Sequence, residues 1–102
     1  MARSAYDLMR LASSGCHVTI DSSEYSAYDL EIIAEAGRSG GSVEIIDRGD
    51  KSGYDLEIIV GKGGRVVTTG KNRSTYELER IAERGCLTLV DDCPECRRLF
   101  RR

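Results

Sequence analysis

The sequence predicts an α/β fold of four tandem helix–strand units, with the strands in one parallel four-stranded sheet and the helices together on one face. Three observations carry that prediction. A segment that begins Ser-small-Tyr-acid-Leu occurs four times, with its tyrosine at positions 6, 28, 54 and 76. Each copy combines a helix-start pattern with a single apolar helical stripe. Each is followed by a short β-rich run, and strands separated by single helices must pair in parallel, because each return crosses over through a helix.

The first unit, 4–21, opens on Ser4 with Asp7 three residues later. In this capping-box spacing the serine hydroxyl accepts from the backbone N–H at the acid's position and the carboxylate reaches back to the serine N–H. The acid also suits the positive end of the helix dipole. At about 100° per residue, Ala5, Leu8, Leu11 and Ala12 share one face. The spacing predicts a helix over 4–14, closed by Gly15, and a strand over 16–20. The second unit, 26–47, repeats the pattern with Ser26, Asp29 and the stripe Ala27, Leu30, Ile33, Ala34, then a turn at 38–41 and a strand over 42–46.

In the third unit, 52–70, Gly53, Leu56, Ile59 and Val60 form the stripe of a helix over 52–60, and 65–69 is the strand. The fourth, 74–91, carries Thr75, Leu78, Ile81 and Ala82, runs to Gly85 and gives a strand over 86–90. Glycine at each helix end is expected to take positive φ without a Cβ clash. No stretch reads as a linker, so 1–102 is expected to be a single domain with a Cys/Arg-rich tail at 92–102.

Val18-Thr19-Ile20, Val43-Glu44-Ile45 and Leu87-Thr88-Leu89 alternate apolar and polar residues. That pattern fits strands with one buried face and one facing water, whereas strands covered on both faces read as unbroken apolar runs. The expected strand order is 1-2-3-4, with a reordered compact sheet as the alternative. In its logic the arrangement resembles leucine-rich-repeat architecture, without that family's Leu/Asn pattern. Its open face would carry His17, Thr19, Glu44, Arg65, Val67 and Thr88. These six are the candidate partner-binding residues for a small non-enzymatic repeat protein that recognises another protein; an ordinary solvated face is the alternative. Uncovered edge strands also point to a homo-oligomer.

The tyrosines lie off the apolar stripe, near the helix starts. They are expected to pack across to neighbouring helices with wet hydroxyls, with a ligand-stacking ladder as the alternative.

Length and composition narrow the function classes. A chain of 102 residues with 40% hydrophobic and 31% charged residues can bury roughly 65% of the surface its unfolded form exposes. No apolar run approaches the about 20 residues of a membrane span, and the first residues lack a signal-peptide core. The expected compartment is the cytoplasm, where the four cysteines would be reduced or metal-bound. Arg97, Arg98, Arg101 and Arg102 crowd the C-terminus of a chain with net charge −2. They could touch nucleic acid or an acidic partner, and a solvated terminus explains them as well.

Cys93-Pro94-Glu95-Cys96 follows a strand and precedes a segment that could start a helix. The motif resembles the thioredoxin and glutaredoxin active site, which implies a thiol activated at a helix N-terminus. It departs from those families in having only six residues after it. The pair could instead be half of a zinc site, joined by Cys86 and by Cys16 or His17. Strands one and four would stand about 14 Å apart, beyond the reach of bonds of about 2.0 to 2.3 Å, so only a site shared between chains could use them all. No cofactor-binding loop is present. The glycines of Gly61-Lys62-Gly63-Gly64 run from helix into strand, opposite to a phosphate cradle. The strand-to-helix turns are better placed for a ligand, since open parallel sheets bind at the carboxyl ends of their strands. Arg48, Lys51, Lys71 and Arg73 could hold an anion there, and Asp21, Asp47 and Asp91 recur at strand ends as expected turn and cap residues.

Overall fold

A computed structural model describes residues 3–90. Four helices, α1 (Ala5–Ser13), α2 (Ala27–Gly37), α3 (Gly53–Gly61) and α4 (Thr75–Arg84), alternate with four strands, β1 (His17–Asp21), β2 (Ser42–Ile46), β3 (Arg65–Thr68) and β4 (Cys86–Leu89). A short 3-10 helix, Ser22–Glu24, follows β1. The strands form one sheet in the order β1-β2-β3-β4, and every neighbouring pair is parallel. The predicted fold class and strand order are therefore those observed, and the reordered sheet is excluded.

Each helix starts as its sequence dictates. The hydroxyls of Ser4, Ser26, Ser52 and Ser74 accept from the N–H of Asp7, Asp29, Asp55 and Glu77 at 3.0–3.1 Å. The reciprocal half of the capping box is not made among the described residues. An aspartate is one methylene short of the glutamate this bond prefers, and the carboxylate of Glu77 goes to Arg73 instead, at 2.8 Å. Ser26→Ala is expected to cost about 1 kcal/mol, read as a lower urea midpoint at unchanged slope.

The helix ends depart from expectation. Gly15 takes positive φ (106°) as predicted, but in the third unit Gly63 does so (104°), two residues after Gly61. Gly37 and Gly61 are the last residues of their helices. Gly85 is extended (φ 175°), and its role is close approach: a Cβ there would lie 2.6 Å from the Val60 carbonyl oxygen.

The core is one layer between helices and sheet. Val18, Ile20, Val43, Ile45 and Val66 point from the strands towards Leu8, Ala12, Leu30, Ile33, Ala34, Leu56, Ile59, Val60 and Ile81 of the four helices. Consecutive helices pack on one another. The stripe holds best in the middle of the stack and fails at its ends: Leu11 is 40% exposed, and Ala82 is exposed while Leu78 and Leu87 are half-buried. No helix precedes α1 or follows α4 among the described residues, so these apolar side chains lack the neighbour that covers their counterparts.

The tyrosines are more exposed than a cross-helix packing role requires, at 67–69% for Tyr6, Tyr28, Tyr54 and Tyr76. The guanidinium groups of Arg10 and Arg80 lie over the rings of Tyr6 and Tyr76, each 5.9 Å from the ring centroid.

Candidate functional site

Two regions of the molecule are candidates: the sheet face turned away from the helices, and the turns at the carboxyl ends of the strands. Because side chains alternate along a strand, the register decides which residues share the open face. One row runs Thr19, Glu44, Arg65, Cys86 and the next Asp21, Ile46, Val67, Thr88. His17, beside Ser42, begins a third. All six sequence-predicted partner-binding residues thus sit on this face. Its cross-strand contacts are light. His17 Nδ1 lies 2.7 Å from Ser42 Oγ, and Thr19 Oγ1 donates to Glu44 Oε1 at 3.4 Å. Among the described residues Glu44 and Arg65, although paired in register, form no ion pair, so both charges are available to a partner.

The turns are built differently. Beneath them, at the ends of β1, β2 and β3, lie three buried polar residues, Ser22, Asp47 and Thr68. Asp47 is the hub. Its carboxylate accepts from Arg73 Nε at 2.8 Å and Arg73 Nη2 at 3.0 Å, from Thr68 Oγ1 at 2.8 Å and from the Gly49 N–H at 2.9 Å. Arg73 also donates to the Lys51 carbonyl at 2.6 Å and to Glu77 Oε2 at 2.8 Å. The side chains of Arg73 and Asp47 are only 5% and 2% exposed.

A second cluster surrounds Ser22. Its hydroxyl donates to Asp50 Oδ1 at 2.5 Å and accepts from the Arg48 N–H at 3.0 Å, and its carbonyl accepts from Lys51 Nζ at 2.9 Å. Lys51 also pairs with Asp50 at 2.5 Å, and Arg48 with Asp21 at 2.7 Å.

Burial pushes the Asp47 carboxyl up, but Arg73, the Gly49 N–H and Thr68 outweigh it and hold its pKa below the ordinary carboxylate value. The same balance lowers Asp50, where burial is opposed by Lys51 and Ser22, and Asp21, where it is opposed by Ser23 and Arg48. Its hydrogen bonds to Asp47 raise Arg73 against the effect of desolvation.

Of the four cations expected to hold an anion, Arg48, Lys51 and Arg73 are therefore engaged by carboxylates of the same chain. Lys71 is exposed and lines a depression of about 210 Å³ with Asp47, Arg48, Gly49, Thr68, Thr69 and Asn72. With Asp21, Asp47, Asp50 and Glu77 beside Arg48, Lys51, Lys71 and Arg73, the region balances its charges internally. In the sequence the aspartates look like turn residues and the cations like ligands for something else. In the fold the carboxylates are what Arg48, Lys51 and Arg73 bind, and the part legible beforehand was the turn and cap role of Asp21, which accepts from the Ser23 N–H, and of Asp47, which accepts from the Gly49 N–H.

Cys93 and Cys96, and the arginines at 97, 98, 101 and 102, lie outside the described residues. Cys16 and Cys86 are exposed free thiols. Among the described residues no three of His, Cys, Asp or Glu cluster as metal ligands, and no helix is long and apolar enough to cross a membrane. Compared with known protein families, curated proteins and solved structures, the chain matches none.

Proposed function

We propose that this is a small non-enzymatic interaction module of the cytoplasm, which engages a protein partner through the open face of its sheet and also self-associates. One observation carries the reading: the open face combines Glu44 and Arg65, outside any ion pair among the described residues, with apolar Val67 and with His17 and Thr19, in register. The charged groups of the turns other than Lys71 are, by contrast, occupied by one another. Mixed charge and apolar surface at strand spacing suits side-chain recognition, with the charges setting specificity.

The test is affinity capture with wild type and with the double variant Glu44→Lys, Arg65→Glu, which keeps the net charge and inverts its local pattern. A specific partner retained by wild type and lost from the variant is the expected result. Capture indifferent to the face but abolished by Lys71→Glu would move the function to the depression at the strand ends.

A further inference from the structure

The two ends of the helical row are complementary, and we propose that they bind each other, so that copies of this chain assemble head to tail with α4 of one packed on α1 of the next. This gives the self-association in the preceding reading a surface, distinct from the open sheet face.

At two positions of the apolar stripe, equivalent residues differ in burial only at the ends of the row. Five residues after each tyrosine stand Leu11, Ile33, Ile59 and Ile81. The last three are fully buried, whereas Leu11 is 40% exposed. Six residues after each tyrosine stand Ala12, Ala34, Val60 and Ala82. Here the first three are at most 3% exposed, and Ala82 is the exception. Among the described residues, one end of the row therefore lacks a helix before α1 and the other lacks a helix after α4. Each missing neighbour has the character of the opposite end.

Charge makes the match specific. Between α3 and α4, Glu57 faces Arg80 at 3.6 Å and Arg84 at 3.8 Å. The residue equivalent to Glu57 on α4 is Glu79, and the residue equivalent to Arg80 on α1 is Arg10. Glu79 is exposed and, among the described residues, has no ion-pair partner. Arg10 lines a groove of about 360 Å³ along α1 together with Arg3, Asp7, Leu11 and Ser14. Seating α4 of a second copy in that groove places Glu79 against Arg10 as Glu57 stands against Arg80, and brings Ala82 to Leu11. β4 and β1 are the two edges of the sheet, and this approach brings them together in the direction in which all four strands already pair. The contact uses two different surfaces, so it propagates into chains or rings and does not stop at a dimer.

The experiment is sedimentation velocity over a concentration series on full-length wild type, Arg10→Glu, Glu79→Arg and the Glu44→Lys, Arg65→Glu variant, with circular dichroism confirming that each is folded. Wild type is expected to grow in mean mass with concentration past the dimer, and each end variant to associate about tenfold or more weakly, because each creates a like-charge contact. An equimolar mixture of the two end variants should assemble again. At one junction the new acid of the Arg10→Glu copy meets the new base of the Glu79→Arg copy, and at the alternate junction the native pair forms. The open-face variant should assemble as wild type does, so loss of partner capture and loss of assembly are read separately. A wild type that stays monomeric, a dimer indifferent to both end variants, or a mixture that fails to recover would each overturn the proposal. Protection of the β4 edge amides from hydrogen exchange in a monomer would likewise overturn it, by showing that another part of the chain covers that end.

Discussion

Asp47→Asn is expected to destabilise the protein by about 3–5 kcal/mol, because it leaves the charge of Arg73 buried without its counter-ion. Asparagine preserves the shape of the side chain, so the loss includes no cavity. Its amide also turns an NH2 towards a ring of donors, where the aspartate offered only acceptors. Urea unfolding measures the loss directly, and Glu44→Gln on the open face, expected to change stability by no more than about 0.5 kcal/mol, is the control.

The pH dependence follows from the direction of the pKa shift. The folded state holds Asp47 below its ordinary pKa, so between the two values the unfolded chain binds more protons and stability rises with pH. The contribution is complete above the unfolded carboxylate value near about 3.9 and is lost as pH falls through the folded value. Wild type should lose stability on acidification below about pH 4, and Asp47→Asn should show a flatter acid limb. A variant within about 1 kcal/mol of wild type, well short of the loss expected on breaking a buried pair, would show that Arg73 finds adequate partners in Glu77 and the Lys51 carbonyl.

Ile33→Ala is expected to cost about 2–5 kcal/mol, since it removes three carbons from a site fully enclosed by helices and sheet. Leu11→Ala, at the equivalent repeat position, should cost less than half as much when measured in dilute solution. Leu11 is 40% exposed, so less transfer free energy is lost and solvent fills the space. Equal losses would mean that α1 is covered even in the isolated chain.

The elements were legible because each is specified locally. Serine and an acid three residues on start a helix, Leu and Ile at helical spacing give it one apolar face, and Val18-Thr19-Ile20 alternates as a strand with one wet face must. Repetition then reinforced each local signal. The strand order followed from the connections, since short units between parallel strands leave few ways to pair. The hub at Asp47 was not legible, because its partner Arg73 lies in the turn of the next unit, and sequence shows the two turns as separate polar stretches. In the sequence Ser22 is one of several serines between β1 and α2. Its burial depends on Asp50 and Lys51, which stack over it only once β1 and β2 are side by side. Leu11 and Ala82 were misjudged for a related reason: a stripe read copy by copy treats all four alike, whereas burial depends on having a neighbour on both sides.

The buried polar row ties successive units to one another. Ser22 is satisfied by Arg48, Asp50 and Lys51 from the turn after β2, and Asp47 by Thr68 and Arg73 from the third unit and the turn after it. Each of these two units therefore buries a polar group that draws most of its partners from the segment after it. A fragment cut between β2 and α3 would lose the hydroxyl donor and the guanidinium of Asp47 and leave β2 as an uncovered edge. Intermediates with half the repeats formed forgo those polar contacts as well as apolar contact, which couples each unit to its neighbour.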